Sequence, residues 1–135
     1  MKNRIFLSIV TITFNNFKEL LQTVESVRDL DDCEHIIING GKCPQTFEFL
    51  QGFSGTSISE PDQGISDAFN KGIQLSTGKA IIMLNSGDRL LDRTYPARAS
   101  QILDKDPQID FVHADLVFED TLIGPYIMPP LRTKN

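Results

Sequence analysis

The sequence predicts an α/β domain: an open, mostly parallel sheet with helices on both faces. Three observations carry that prediction. Apolar, β-branched runs at residues 5–14, 36–38 and 80–84 alternate with segments whose apolar residues recur at helical spacing. Short polar stretches rich in Asn, Asp and Gly close each run. The length, 135 residues, suits one domain with one core.

The elements follow in order. Residues 5–14 read as a strand buried on both faces, broken by Asn15-Asn16. Phe17, Leu20, Leu21, Val24 and Val27 then form one stripe of an amphipathic helix, with Asn15 or Asn16 as its cap. His35 to Ile38 make a second strand, ended by Asn39-Gly40-Gly41. Residues 45–51 suit a short helix, and Thr56 to Ser59 a weak third strand closed by Glu60-Pro61-Asp62-Gln63-Gly64. The next helix has Ile65, Ala68, Phe69, Gly72 and Ile73 as its inward stripe and Gly78 as its stop. Its small residues, Ala68 and Gly72, allow close approach to a sheet. Residues 80–84 are the fourth strand, and Arg93 to Lys105 a helix with Pro96 in its first turn. Asp110 to Ala114 read as a fifth strand, which Leu116 to Phe118 either prolong or follow with another. The expected division is a domain at residues 1–118 and an irregular, proline-containing tail at 119–135.

Composition narrows the function classes. A net charge of −5 argues against a nucleic-acid binder, which would carry a basic patch or stripe. It leaves room for a nucleotide held through a metal ion. Cys33 and Cys43 form no CxxC pair and no Cys/His cluster, so two reduced structural thiols in a cytoplasmic protein are expected. The first apolar run is interrupted by Ser8, Thr11 and Thr13 and has no small-residue cleavage site after it, so no signal peptide is expected. No apolar stretch approaches the ~20 residues of a membrane span. Peripheral attachment at the inner face of a membrane stays open.

In parallel α/β sheets ligands bind beyond the carboxyl ends of the strands. Thr13-Phe14-Asn15, Asn39-Gly40-Gly41, Glu60-Pro61-Asp62 and Asn85-Ser86-Gly87-Asp88 all fall at such ends, so four pieces of sequence should meet on one rim. No phosphate loop GxxxxGK[ST], no GxGxxG after the first strand and no GxSxG elbow is present. His35 and His113 lie within or beside predicted strands and read as structural. Carboxylate and amide chemistry remains. Asp88 follows a strand and a small-residue turn, which suits a magnesium or manganese ion completed by phosphate oxygens and water. The same spacing suits an ordinary turn residue. Asp62 and Asp67 bracket the start of a helix, where spacing alone favours a turn and an exposed helical face over a contact to a sugar hydroxyl.

Whole phrases, in order, then resemble one family. Residues 8–15, SIVTITFN, resemble the opening strand of family 2 glycosyltransferases of the GT-A type, and residues 36–41, IIINGG, their second strand. Residues 59–73, SEPDQGISDAFNKGI, resemble the signature of a subgroup that builds bacterial polysaccharides, and residues 77–79, TGK, and 84–88, LNSGD, continue that pattern. The resemblance implies a GT-A, Rossmann-like fold that binds a nucleotide-diphosphate sugar. It implies transfer of the sugar, with inversion and with Mn2+ or Mg2+, to a glycan or lipid-linked acceptor in cell-surface polysaccharide biosynthesis. By the same resemblance Thr13 and Phe14 would lie beside the base and ribose, Asn39 would take the place of the usual base-contacting aspartate, Asp62 and Asp67 would line the donor pocket, and Asp88 would hold the metal. The chain departs from the family pattern at two places: Asn39 is an amide where an acid is usual, and the metal motif reads Asn85-Ser86-Gly87-Asp88 rather than a strict DxD.

The match covers residues 5–118, whereas family members continue well beyond, so the chain reads as truncated and no catalytic base is assigned. A non-catalytic nucleotide-sugar-binding module is the alternative, and homodimerisation through an open sheet edge or through the proline-rich tail is expected. A nucleotidyltransferase would carry a Gly-rich basic loop where this chain has Asn15-Asn16-Phe17-Lys18, and a receiver domain would need an acidic pair after its first strand.

Overall fold

The computed structural model describes residues 5–114, 116–120 and 124–128. They divide into two compact units, Met1–Pro96 and Ala97–Asn135. The first holds β1 (Leu7–Thr13), α1 (Phe17–Val27), β2 (Cys33–Asn39), α2 (Pro44–Gln51), β3 (Thr56–Ser59), α3 (Ile65–Leu75) and β4 (Ala80–Met83). The strands form one sheet in the order β3-β2-β1-β4, every neighbouring pair parallel. Thr13, Asn39 and Ser59 stand side by side across β1, β2 and β3, so these three strands end level. Met83 pairs with Val10, and after β4 the chain stays alongside β1, Leu84 N–H donating to Val10 O at 2.8 Å and Ser86 N–H to Ile12 O at 3.1 Å.

Side-chain alternation along the strands explains the layers. On one face Ile37 packs with Leu20 and Val24 of α1 and Leu50 of α2, while Leu7 and Ile9 pack with Val27 and Leu84. On the other, Ile36 and Ile38 pack with Ala68 of α3. Gly72 lets α3 approach β1 closely: a Cβ there would overlap Val10 Cγ1 and stand 3.3 Å from Val10 Cβ and Cγ2. The open parallel sheet with helices on both faces is thus the architecture the sequence predicted.

Several details differ from the sequence-based expectation. Ile65 is 66% exposed and Ile73 37% exposed, so the inward line of α3 is the narrower Ala68–Gly72 strip. Gly78 does not stop α3, which ends at Leu75 with Ser76 as its cap; instead Gly78 N–H donates to Ser8 Oγ at 2.9 Å. Asn16 is the N-cap position of α1, yet its side chain does not cap the helix; Oδ1 accepts from Thr13 Oγ1 at 2.6 Å and from Phe14 N at 3.2 Å.

In the second unit the expected fifth strand at residues 110–114 is irregular. β5 (Leu116–Asp120) pairs antiparallel with β6 (Gly124–Met128) as a separate two-stranded sheet. Part of the expected irregular tail, 119–135, is therefore strand, and the rest lies outside the described residues. α4 (Tyr95–Lys105) begins at the end of the first unit, with Pro96 in its first turn as expected. No helix among the described residues is long and apolar enough to cross a membrane.

Candidate functional site

The carboxyl edge of the first unit's sheet gathers the polar strand ends. Thr13 closes β1 and is buried; besides its bond to Asn16 its Oγ1 stands 3.5 Å from Ser86 Oγ. The turn after β4 is held to the same strand, Ser86 N–H donating to Ile12 O at 3.1 Å. On the other side Gly40 N–H donates to Thr13 O at 3.1 Å. Asn15 takes a left-handed φ of 54°, which asparagine tolerates, and its Oδ1 accepts from Lys42 N at 2.8 Å. That approach requires glycine at 41, where a Cβ would stand 2.7 Å from Asn15 N. Next to this knot Phe14 points outward, 65% exposed.

Asn39 is fully buried, and its amide is spent inside the protein. Oδ1 accepts from Gly41 N at 3.0 Å, and Nδ2 donates to Ser59 Oγ at 3.3 Å. It therefore ties β2 to β3 and shapes the Gly40-Gly41 turn. Asp62 reaches the same corner. Its carboxylate lies against Gly40, where an added Cβ would overlap Oδ2 and stand 2.8 Å from Cγ, while Oδ1 accepts from Gly64 N at 3.0 Å.

Asp67 and Lys71 of α3 hold the loop that carries Asp62. Asp67 Oδ2 accepts from Gln63 N at 2.8 Å, and Lys71 Nζ donates to Pro61 O at 2.9 Å. Lys71 also lies 3.1 Å from Glu60 and 3.7 Å from Asp67. Its ammonium is held above the ordinary lysine range, first by the hydrogen bond to Glu60.

Asp88 stands on the Asn85–Asp88 turn. Its Oδ2 accepts from Asn85 N at 3.2 Å, and its own N–H donates to Asn85 O at 2.8 Å. Sequence reasoning missed the residue beneath this turn: Thr23 of α1, fully buried, whose Oγ1 stands 2.6 Å from Asp88 O and accepts from Gly87 N at 2.8 Å. The available signal was a hydroxyl at position 23 inside the buried stripe of Leu20, Val24 and Val27.

Of the residues singled out from sequence, Thr13, Asn39 and Asp62 meet at one corner, Phe14 borders it, and Asp67 secures the loop behind it. Asp88 shares the edge through the turn anchored at Ser86. Among the described residues no group of three or more His, Cys, Asp and Glu is placed to hold a metal ion by itself. A lone carboxylate fits a hard divalent cation that draws its other ligands from phosphates and water, and does not fit an all-protein cage.

Both histidines lie apart from the rim. His35 Nε2 is 2.7 Å from Thr11 Oγ1 and its ring packs edge-on to Phe53; burial pushes its pKa down to about 4. It lines a cavity of ≈590 Å3 with Arg28, Cys33, Phe49 and Phe53, at the opposite end of β2 from Asn39. His113 is exposed, its ring beside Phe111.

Such a sheet, with its polar strand ends gathered on one edge, defines an α/β protein of the class that takes ligands at a carboxyl rim. Residues 8–129 match the model of the family described as glycosyl transferase family 2, and the chain belongs to that family. An uncharacterized glycosyltransferase of Mycobacterium tuberculosis is 37% identical over 102 residues, 71% of this chain and 39% of its own length. A PGL/p-HBAD biosynthesis glycosyltransferase of Mycobacterium bovis is 26% identical over 122 residues, 84% of this chain and 48% of its own length. The chain therefore spans less than half of these relatives.

Two solved structures share the fold. The mannosyltransferase PcManGT from Pyrobaculum calidifontis, in complex with GDP-Man and Mn2+, has a TM-score of 0.61 at 18% identity, over 78% of this chain and 34% of that one. S. aureus TarS 1-349 has a TM-score of 0.63 at 14% identity, over 74% of this chain and 32% of that one. The GT-A, Rossmann-like sheet expected from the sequence is the fold found.

Proposed function

We propose that this chain is the donor-binding part of a cytoplasmic glycosyltransferase that moves a sugar from a nucleotide-diphosphate donor to a glycan or lipid-linked acceptor in cell-surface polysaccharide synthesis. The transfer inverts the anomeric carbon. Phe14 and the Thr13–Gly40 corner flank the nucleoside, and Asp62 lines the donor pocket, with Asp67 holding the Asp62 loop. Asp88 would hold the divalent cation, which when bound neutralises charge on the leaving diphosphate. The observation that carries the reading is the joining of the strand ends on one edge: Thr13 to Gly40, Gly40 against Asp62, and Ile12 to Ser86 in the Asp88 turn. Family membership supports the donor class, and the solved relative with GDP-Man and Mn2+ supports the pairing of nucleotide sugar with cation.

Calorimetric titration of the chain with GDP and UDP, with and without Mn2+, tests this. The expected result is nucleotide binding that tightens with Mn2+ and loses that enhancement in Asp88→Ala. Binding indifferent both to the metal and to Asp88 would remove the cation assignment. A transfer and hydrolysis assay over a panel of nucleotide sugars separates a competent transferase from a binding module.

A further inference from the structure

We infer that Thr23 is a positioning residue for Asp88, and that Thr23 and Ser26 on one side of α1 clamp the chain from Asn85 to Leu90. The inference rests on the reading of Asp88 as cation ligand and deepens it. The Thr23 hydroxyl touches three of the four residues in the turn: Asp88 O at 2.6 Å, Asn85 O at 3.3 Å and Gly87 N at 2.8 Å.

A hydroxyl has one hydrogen to give. Its intrahelical acceptor, Glu19 O, is 3.3 Å away, so the proton goes to Asp88 O, the nearest oxygen. A lone pair then accepts from Gly87, whose φ of 103° turns its N–H inward and favours glycine at that position. Ser26 adds the second grip, donating to Thr23 O at 2.8 Å and accepting from Leu90 N at 3.0 Å. The Asp88 carboxylate has no bond to α1; it is aimed by the turn through Asn85 N. Releasing the turn from α1 therefore releases the carboxylate's direction.

Thr23→Val keeps the shape and deletes the hydroxyl, so the Gly87 N–H and the Asp88 C=O lose their partner on α1. Thr23→Ser keeps the hydroxyl and deletes a methyl group. The measurements are calorimetric titration of GDP and of UDP with and without Mn2+, and the Mn2+ paramagnetic resonance spectrum with nucleotide bound. Thermal unfolding verifies that each variant is folded. Loss of a group that bonds a metal ligand directly weakens metal binding about 10- to 100-fold; Thr23 acts one step further out, through the Asp88 backbone, so Thr23→Val should weaken Mn2+-supported binding about tenfold, at the lower end of that range, and Thr23→Ser no more than about twofold. Metal-free nucleotide binding should not change.

Equal Mn2+ dependence in Thr23→Val and the parent chain overturns the clamp. So does a Thr23→Ser as weak as Thr23→Val, since packing of the methyl would then explain both. If Thr23→Val does not fold, Thr23→Ser and Ser26→Ala carry the test. Ser26→Ala must weaken the Mn2+-supported binding while Thr23→Ser retains it, and the absence of that difference overturns the inference. Asp88→Ala separates the two levels: if it abolishes the metal effect and Thr23→Val leaves it intact, only the clamp falls; if it changes nothing, the cation assignment falls first.

Discussion

Substituting Gly72 by alanine should destabilise the first unit although alanine is the better helix former. An added Cβ at 72 overlaps Val10 Cγ1 and comes within 3.3 Å of Val10 Cβ and Cγ2. Val10 is fully buried on a central strand, and as a β-branched residue it has little rotamer freedom with which to retreat. Overpacking of this kind costs about 1–3 kcal/mol, and the tight fit around Val10 puts it near about 3. Alanine returns about 1 kcal/mol of helix propensity, leaving a net loss of about 2 kcal/mol. For a chain this long that lowers the thermal midpoint by roughly 8 °C. Urea unfolding followed by circular dichroism measures the loss. The mechanism is tested by a double-mutant cycle with Val10→Ala, in which the new methyl occupies the space the valine vacates. The two effects should couple favourably by at least about 0.5 kcal/mol. Additive losses, or a Gly72→Ala chain as stable as the parent, would refute the close approach of α3 to β1 as the reason for glycine.

Two further outcomes follow from the same contacts. Gly40→Ala should push the Asp62 carboxylate out of its corner, which costs little stability because a side-chain terminus can move, but should weaken nucleotide binding by about tenfold, about 1.4 kcal/mol; unchanged affinity in calorimetry would disconnect Asp62 from the donor pocket. His35 gives a pH signature. Its folded-state pKa is depressed from 6.5 to about 4, so its contribution to stability is fully present above pH 6.5 and is lost as pH falls toward about 4. That difference is worth up to about 3 kcal/mol. Urea unfolding at pH 7.5 and pH 4.5 should show a shallower acid loss in His35→Gln than in the parent, and equal slopes would mean that His35 is not held neutral by burial.

The order of strands and helices through β4 is legible because each apolar run is short, β-branched and stopped by Asn, Asp or Gly. The parallel pairing follows from the helix between each strand and the next. The segment at 110–114 misled because Phe111 and Val112 suit a strand, yet its backbone is irregular and the pairing falls to Leu116–Asp120, which pairs with β6. Ile65 and Ile73 misled because helical periodicity fixes a stripe's direction but not its width, and the contact through Ala68 and Gly72 is narrow. At the rim the sequence could indicate which residues lie at strand ends, since strand order and polarity decide that. It could not indicate what each side chain bonds to. Asn39 was expected to face a ligand and instead bonds inward, and Thr23 lies 65 positions from the Asp88 carbonyl that it holds.

The amide at position 39 has one more consequence. A carboxyl group in that buried corner would gain or lose a proton as acidity changed, and the link between β2 and β3 would loosen or tighten with it. A carboxamide has no such proton, so the seam from Gly41 through Asn39 to Ser59 is electrically silent and keeps the same bonds from acid to alkali.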